Sequence, residues 1–364
     1  MEGGIPLENM KKFPKYRKRT WQVVSFVVLF SFLFTGCAKE TSPMPILRKA
    51  SENLSLNIQK MYRSEVYGVQ IDLSFPAAAR PVPGVTDAAG KTGESGDSVE
   101  LSAKAAFLFD LTDGRVLYEK NCYEKIYPAS TTKLLTAYFL LSYMKEHGIQ
   151  SSDTYVIRAD NCGITRVGAK LFGFQKGDTV TLDLLLNALL VYSANDAAVA
   201  IIEYIAAREG ASYEDTLERM NDTAARLGAT HTNFTNPHGL HELEHKTTAY
   251  DLYLIFAACM NHLEFMPIVG QPSYLASYTG ADGTAKEQIL EATNQYFLNL
   301  YTPPKGVVVL GGKTGSTAAA GDCFITLSSF GERTYLSAIF GAETYEELYE
   351  QMNRLLELEC SDYF

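Results

Sequence analysis

The chain has 364 residues, 46% hydrophobic and 20% charged, with a net charge of −10. That length supports one large domain or two modest ones around a sizeable core. The acidic balance, with 22 tyrosines spread along the chain rather than arrayed for base stacking, argues against a nucleic-acid partner.

Lys11, Lys12, Lys15, Arg17, Lys18 and Arg19 precede an almost continuous apolar run over residues 21–34. The run is short for a spanning helix and suits the core of a secretion signal. It ends in Phe34-Thr35-Gly36-Cys37. Small residues before a cysteine resemble the bacterial lipobox, although such boxes usually carry leucine where Phe34 stands. The expectation is a lipoprotein-type signal peptide over 1–36, with a lipid on Cys37 anchoring the protein to the membrane. An uncleaved N-terminal anchor is the alternative. Both readings export the rest of the chain to the outer face of the cytoplasmic membrane. Residues 1–36 carry six basic and two acidic side chains, so their removal leaves a still more acidic protein. An acidic surface is repelled by anionic headgroups, which makes a tether useful.

Residues 37–97 read as an extended spacer. Pro76, Pro81 and Pro83 lie in an alanine-rich stretch, followed by a Gly/Ser/Thr-rich segment at 90–98. Residues 47–63 have the pattern of a short amphipathic helix. The catalytic domain is expected over 98–364. Residues 105–110 read as a buried strand, 112–115 as a turn and 116–118 as the returning strand. A helix is expected over 130–147, apolar nearly all the way round and therefore central. Further helices are expected near 181–191, 196–208, 212–227 and 247–262, strands at 306–317, 322–330 and 334–341, and a last helix at 344–358. Strands at both ends with helices between predict one sheet built from both termini, packed against a helical subdomain.

Three motifs carry chemistry. In Ser130-Thr131-Thr132-Lys133, serine and lysine three apart share a helix face. A serine hydroxyl is a poor nucleophile without a base, and lysine becomes one when burial or a neighbouring cation lowers its pKa. A serine at the start of a helix also sits in the positive end of its dipole. Ser193-Ala194-Asn195-Asp196 falls between two apolar helical stretches, where a polar elbow can present Ser193 as a proton relay and Asn195 as a substrate-orienting amide. Lys313-Thr314-Gly315 follows an apolar, glycine-ended strand, along whose edge a peptide can lie while Lys313 and Thr314 bind its carboxylate. The Ser130 and Ser316 N–H groups are a candidate oxyanion hole. Alone, the first motif is equally a helix cap beside a solvated lysine, and the second a capping Asn-Asp pair. A phosphate loop is rejected for the third, because Val307 occupies the required first glycine and a strand follows instead of a helix.

In this order the three are the signature of penicillin-binding proteins and class A β-lactamases. Residues 127–133 (YPASTTK), 236–240 (NPHGL) and 313–323 (KTGSTAAAGDC) extend the resemblance to the low-molecular-weight penicillin-binding proteins, the serine-type D-Ala-D-Ala carboxypeptidases of peptidase family S11. The resemblance covers about residues 100–358. It implies an α/β penicillin-binding/β-lactamase-like transpeptidase fold, an antiparallel sheet flanked by helices plus a mainly helical subdomain. It implies removal of the terminal D-Ala from peptidoglycan stem peptides ending in D-Ala-D-Ala. Ser130 is then the acylated nucleophile and Lys133 its base. Ser193 relays the proton, Asn195 holds the substrate amide, and Lys313, Thr314, Gly315 and Ser316 bind substrate. β-Lactams are expected as covalent inhibitors. No metal or organic cofactor is implied.

The chain departs from the family in three places. Ala194 replaces a usual glycine. Residues 343–350 carry no arginine to hold the substrate carboxylate, and no C-terminal β-rich domain is expected. A β-lactamase is the nearer rival, but the Glu-x-x-Leu-Asn pattern is absent: the near matches at Glu214 and Glu287 run into Glu218 and Glu291. A non-catalytic peptidoglycan binder need not keep Ser130 and Lys133 together. His241-Glu242-Leu243-Glu244-His245 matches a zinc-peptidase motif, with Glu264 as an imaginable third ligand. That motif works only on a helix, and here it follows a turn sequence, so a polar loop is expected. Beyond Cys37 the chain has five cysteines, Cys122, Cys162, Cys259, Cys323 and Cys360. The odd number leaves at least one unpaired in a monomer.

Overall fold

The computed structural model describes residues 99–361. The signal-like segment, Cys37, the spacer and the helical pattern at 47–63 lie outside the described residues. Two strands open the fold, β1 (Ala105–Asp110) and β2 (Arg115–Lys120), joined by the expected turn, where Asp110 accepts from the Thr112 and Asp113 N–H groups. Three long strands close it: β7 (Val307–Thr317), β8 (Gly321–Phe330) and β9 (Arg333–Ala342). All five form one antiparallel sheet in the order β2-β1-β9-β8-β7, so the first and last described strands pair, β1 with β9. The predicted sheet from both termini is therefore present.

Burial on both faces explains the unbroken apolar runs in β1, β8 and β9. Along a strand, alternate side chains face opposite ways. Ile325, Leu327 and Phe340 join the large core beneath the helices. Phe324, Tyr335 and Ile339 join a second core with Leu348, Tyr349, Met352 and Leu355. Those last residues belong to the C-terminal helix (Tyr345–Ser361), which covers the sheet's outer face.

Between the strands lie α1 (Lys133–His147), α2 (Leu182–Asn187), α3 (Asn195–Glu209), α4 (Tyr213–Arg226), α5 (Ala249–Cys259) and the short α6 (Phe265–Val269); the C-terminal helix is α7. As its all-round apolar pattern predicts, α1 is the central element, with Leu134, Leu135, Ala137, Phe139, Leu140, Leu141, Tyr143 and Met144 all buried. Gly148, in the left-handed region, ends it. Thr181, Ser212 and Thr248 each accept from an N–H of the helix they precede, fixing the starts of α2, α4 and α5.

A second antiparallel sheet was not expected from the sequence. It consists of β3 (Thr154–Val156), β4 (Thr179–Thr181), β5 (Ser273–Thr279) and β6 (Ala285–Glu291), in that order. Two of its strands are three residues long, and the β5–β6 hairpin is largely exposed. It therefore lacks the apolar alternation that marks a half-buried strand.

Candidate active site

The YPASTTK segment does not start the helix at Ser130. Residues Ala129–Thr132 form a 3-10 turn, and the α-helix begins at Lys133. Ala129 sits at φ +48°, in the left-handed region that L-residues with a Cβ avoid. Surrounding hydrogen bonds hold this turn. Thr131 Oγ1 donates to Pro128 O (2.7 Å) and Thr132 Oγ1 to Ala129 O (2.8 Å). Below them lies His245, buried, with Nε2 2.8 Å from Thr132 Oγ1. The Thr235 N–H donates to His245 Nδ1 (3.1 Å), so Nε2 carries the ring proton and donates to Thr132. Burial, then the charge of Lys133, lowers the His245 pKa to about 3, which keeps the ring neutral. The zinc-like motif thus lies in a loop, as expected. Its second histidine braces the serine-bearing turn.

Lys133 is fully buried. Its Nζ lies 2.9 Å from Ser130 Oγ, 2.7 Å from Asn195 Oδ1 and 2.6 Å from His238 O. The amide oxygen and the carbonyl only accept. A neutral amine has two N–H donors and one lone pair. A neutral amine would give its two N–H groups to Asn195 and His238 and keep its lone pair for the Ser130 hydroxyl, whereas an ammonium would donate to all three. Burial pulls the Lys133 pKa well below its ordinary value, and the charges of Lys313 and Lys170 push the same way against an opposing pull from Asp196.

The NPHGL segment delivers the His238 carbonyl. Asn236 Oδ1 accepts from the His238 and Gly239 N–H groups, and its Nδ2 donates to Leu240 O. Gly239 has φ +88°, and a Cβ there would collide with the Ala129 carbonyl. That close approach requires the glycine.

The second wall comes from a π-turn, Ala188–Tyr192, that continues α2. Such turns gather at functional sites. Ser193 ends it at φ +69°, and Asn195 starts α3. Both Asp196 oxygens are occupied by backbone N–H groups, those of Phe172, Gly173, Phe174 and Ala197.

The third wall is β7. Lys313, also fully buried, donates to Ser193 Oγ (2.9 Å) and Thr314 O (2.8 Å). Burial, then the charge of Lys170, lowers its pKa to about 7. Thr314 Oγ1 donates to Thr293 Oγ1 at 2.6 Å. A Cβ on Gly315 would come within 2.7 Å of the Ser130 N, so the strand passes directly over the serine-bearing turn. Ser316, next along, is exposed.

The structure thus gathers Ser130, Lys133, Ser193, Asn195, Lys313, Thr314 and Gly315 around one cleft. The sequence reading missed the brace at His245, the His238 carbonyl, Thr293 and Lys170. All but Lys170 act through backbone or through one intervening residue, and so leave no spacing signature. Cys122, Cys162, Cys259, Cys323 and Cys360 are all free thiols. Among the described residues, no three metal-ligating side chains form a metal cluster.

Known proteins share the sequence pattern and the fold. A carboxypeptidase from Bacillus subtilis (strain 168), DacF, is 29% identical over 276 residues, covering 76% of this chain and 66% of the relative. DacB2 of Mycobacterium tuberculosis is 32% identical over 240 residues, covering 65% and 74%. The chain spans 66% and 62% of the length of DacF and of Escherichia coli DacC. Penicillin-binding protein D2 of Listeria monocytogenes, solved with cefotaxime bound, aligns at a TM-score of 0.59 and 26% identity over 73% of this chain and 100% of that one. The Streptomyces K15 DD-transpeptidase shares the fold at a TM-score of 0.65 and 22% identity, over 72% and 98%. The family model for D-alanyl-D-alanine carboxypeptidases matches residues 91–344, and the chain belongs to that family, peptidase family S11.

Proposed function

We propose that the chain is a serine D-alanyl-D-alanine carboxypeptidase acting on peptidoglycan stem peptides. The observation that carries this reading is the fully buried Lys133 Nζ held 2.9 Å from Ser130 Oγ and 2.7 Å from Asn195 Oδ1. Ser130 Oγ attacks the carbonyl of the penultimate D-Ala, and its proton passes to Lys133. The Ser130 and Ser316 N–H groups receive the developing oxyanion. The C–N bond then breaks as the proton held by Lys133 passes through Ser193, hydrogen-bonded to Lys313, to the leaving amine, which leaves Lys133 neutral again. Free D-alanine departs from an ester on Ser130. Water adds to the ester carbonyl, gives a proton to Lys133, and releases the shortened peptide as Ser130 is reprotonated.

Asn195 orients the acyl-side amide, and Lys313 and Thr314 hold the terminal carboxylate. A β-lactam acylates the same serine. The water-activating role of a β-lactamase glutamate does not pass to Asp196, whose oxygens are occupied. In this reading the protein is exported and held by a lipid on Cys37. No described helix is long and apolar enough to cross a membrane.

A fluorescent penicillin should label the wild type and not Ser130→Ala, and mass spectrometry should show loss of one D-alanine from a pentapeptide. Labelling that survives Ser130→Ala overturns the nucleophile. Rapid turnover of penicillin favours the β-lactamase.

A further inference from the structure

Lys170 has no place in the reaction just described, yet it faces the same cleft. Its carbonyl accepts from the Asn195 N–H at 2.8 Å. The segment after it is pinned by Asp196, which accepts from Phe172, Gly173 and Phe174. The backbone carrying Lys170 is thus locked to the α3 start that supplies Asn195. The ammonium lies 4.2 Å from the centroid of the Tyr192 ring, on the last residue of the π-turn. Its charge is felt by both Lys133 and Lys313. The residue is open to solvent, yet surrounded by enough protein for desolvation to depress its pKa. That combination marks the wall of an open cleft.

Three lysine side chains therefore act on one another in a chain of net charge −10. With Lys133 neutral, the charges of Lys170 and Lys313 repel each other in the empty site. Among the described residues, no carboxylate lies within ion-pair distance of Lys170, and its Nζ makes no hydrogen bond. The charge of Glu291 on β6 reaches it only from farther away. Asp196 is turned to backbone N–H groups. Lys133 serves as the neutral base, and Lys313 takes the terminal carboxylate. Lys170 is left as a cation whose backbone is bonded to Asn195 and whose charge reaches Lys313 on β7.

We propose that Lys170 binds a second carboxylate of the substrate, on the acyl side of the scissile bond. The favoured stem peptide then carries a free side-chain carboxylate next to the penultimate D-Ala, in preference to its carboxamide. This rests on the carboxypeptidase reading above, because the terminal carboxylate must occupy Lys313 for the acyl portion to lie along Asn195.

Two pentapeptides differing only in that carboxylate or carboxamide test it. A partly exposed ion pair predicts a preference of about five-fold in kcat/KM for the carboxylate in the wild type. Lys170→Gln should bring the ratio to about one, Lys170→Arg should keep it, and Lys170→Glu should reverse it. Any change in Lys133 acts on both peptides alike and leaves the ratio untouched. Calorimetric Kd values for both peptides on Ser130→Ala read the same preference without turnover. A ratio equal in wild type and Lys170→Gln, in turnover or in binding, overturns the proposal. Absence of D-alanine release from either peptide sinks the carboxypeptidase reading instead, while the Kd ratio still decides Lys170.

Discussion

Two walls of the cleft each bury a lysine completely, and they treat it differently. On the α1 side, Lys133 has three partners within 2.9 Å, two of which only accept. On the β7 side, Lys313 has two partners, the Ser193 hydroxyl and the carbonyl of its own neighbour Thr314. The pKa of Lys133 falls well below its usual value, whereas that of Lys313 falls to about 7 and keeps a substantial charged fraction at neutral pH. Burial alone does not assign the roles. Their partners differ as well: Lys133 meets two pure acceptors and the Ser130 hydroxyl, Lys313 the Ser193 hydroxyl and the Thr314 carbonyl.

The largest effect should come from Lys133→Ala. Removing a general base lowers rates by about 10²- to 10⁴-fold. Stopped-flow acylation by a chromogenic penicillin should show that loss with the initial binding constant nearly unchanged. Acylation at the normal rate would make the two lysines equivalent and break the comparison. Lys313→Ala should weaken recognition instead. A hydrogen bond to a charged group contributes enough to predict about a 10- to 100-fold loss in kcat/KM for peptides with a free terminal carboxylate. A C-terminally amidated peptide should lose much less.

The pH profile sharpens the contrast further. Lys133 must be neutral to act, so kcat/KM rises with pH through its depressed pKa. Lys313 must be charged to take the carboxylate, so kcat/KM falls as pH passes about 7 in the free enzyme. Lys170 lowers both values. Replacing it with glutamine should move both limbs to higher pH, and limbs that stay put would remove Lys170 from the cleft's electrostatics.

The smallest effect lies away from the cleft. Glu359, on α7, is buried against the sheet, hydrogen-bonded to Ser328 and Ser337, with Oε2 unpartnered. Burial raises its pKa from 4.5 to about 8. A raised carboxyl contributes stability that is fully present below its unfolded pKa and is lost as pH rises through the folded one. Wild type should therefore lose thermal stability between about pH 4.5 and 8. Glu359→Gln should flatten that slope in melting curves; parallel slopes would show that the carboxyl is not the titrating group. The same burial that pulls the Lys133 pKa down pushes that of Glu359 up behind the sheet.

Much of this was legible in one sequence. The all-round apolar pattern of α1 marks it as central because no exposed face is possible. The runs in β1, β8 and β9 announce strands covered on both sides. Ser130, Lys133, Ser193, Asn195 and Lys313 stood out because their chemistry needs fixed residue types at short spacings. The second sheet did not stand out, since its short exposed strands bury too little to impose a period. The start of α1 was misplaced by three residues, because the 3-10 turn is held by His245, more than a hundred positions away.

By itself the sequence determined the reactive groups, the strand and helix periods and the family motifs, all of which are local in the chain. Only the tertiary structure decided that Lys133 meets Ser130, Asn195 and the His238 carbonyl, that Gly239 must clear the Ala129 carbonyl, and that the charge of Lys170 reaches two other lysines. Those facts depend on which distant backbone carbonyls, amides and charges share a dry or crowded space. No spacing along the polymer encodes that.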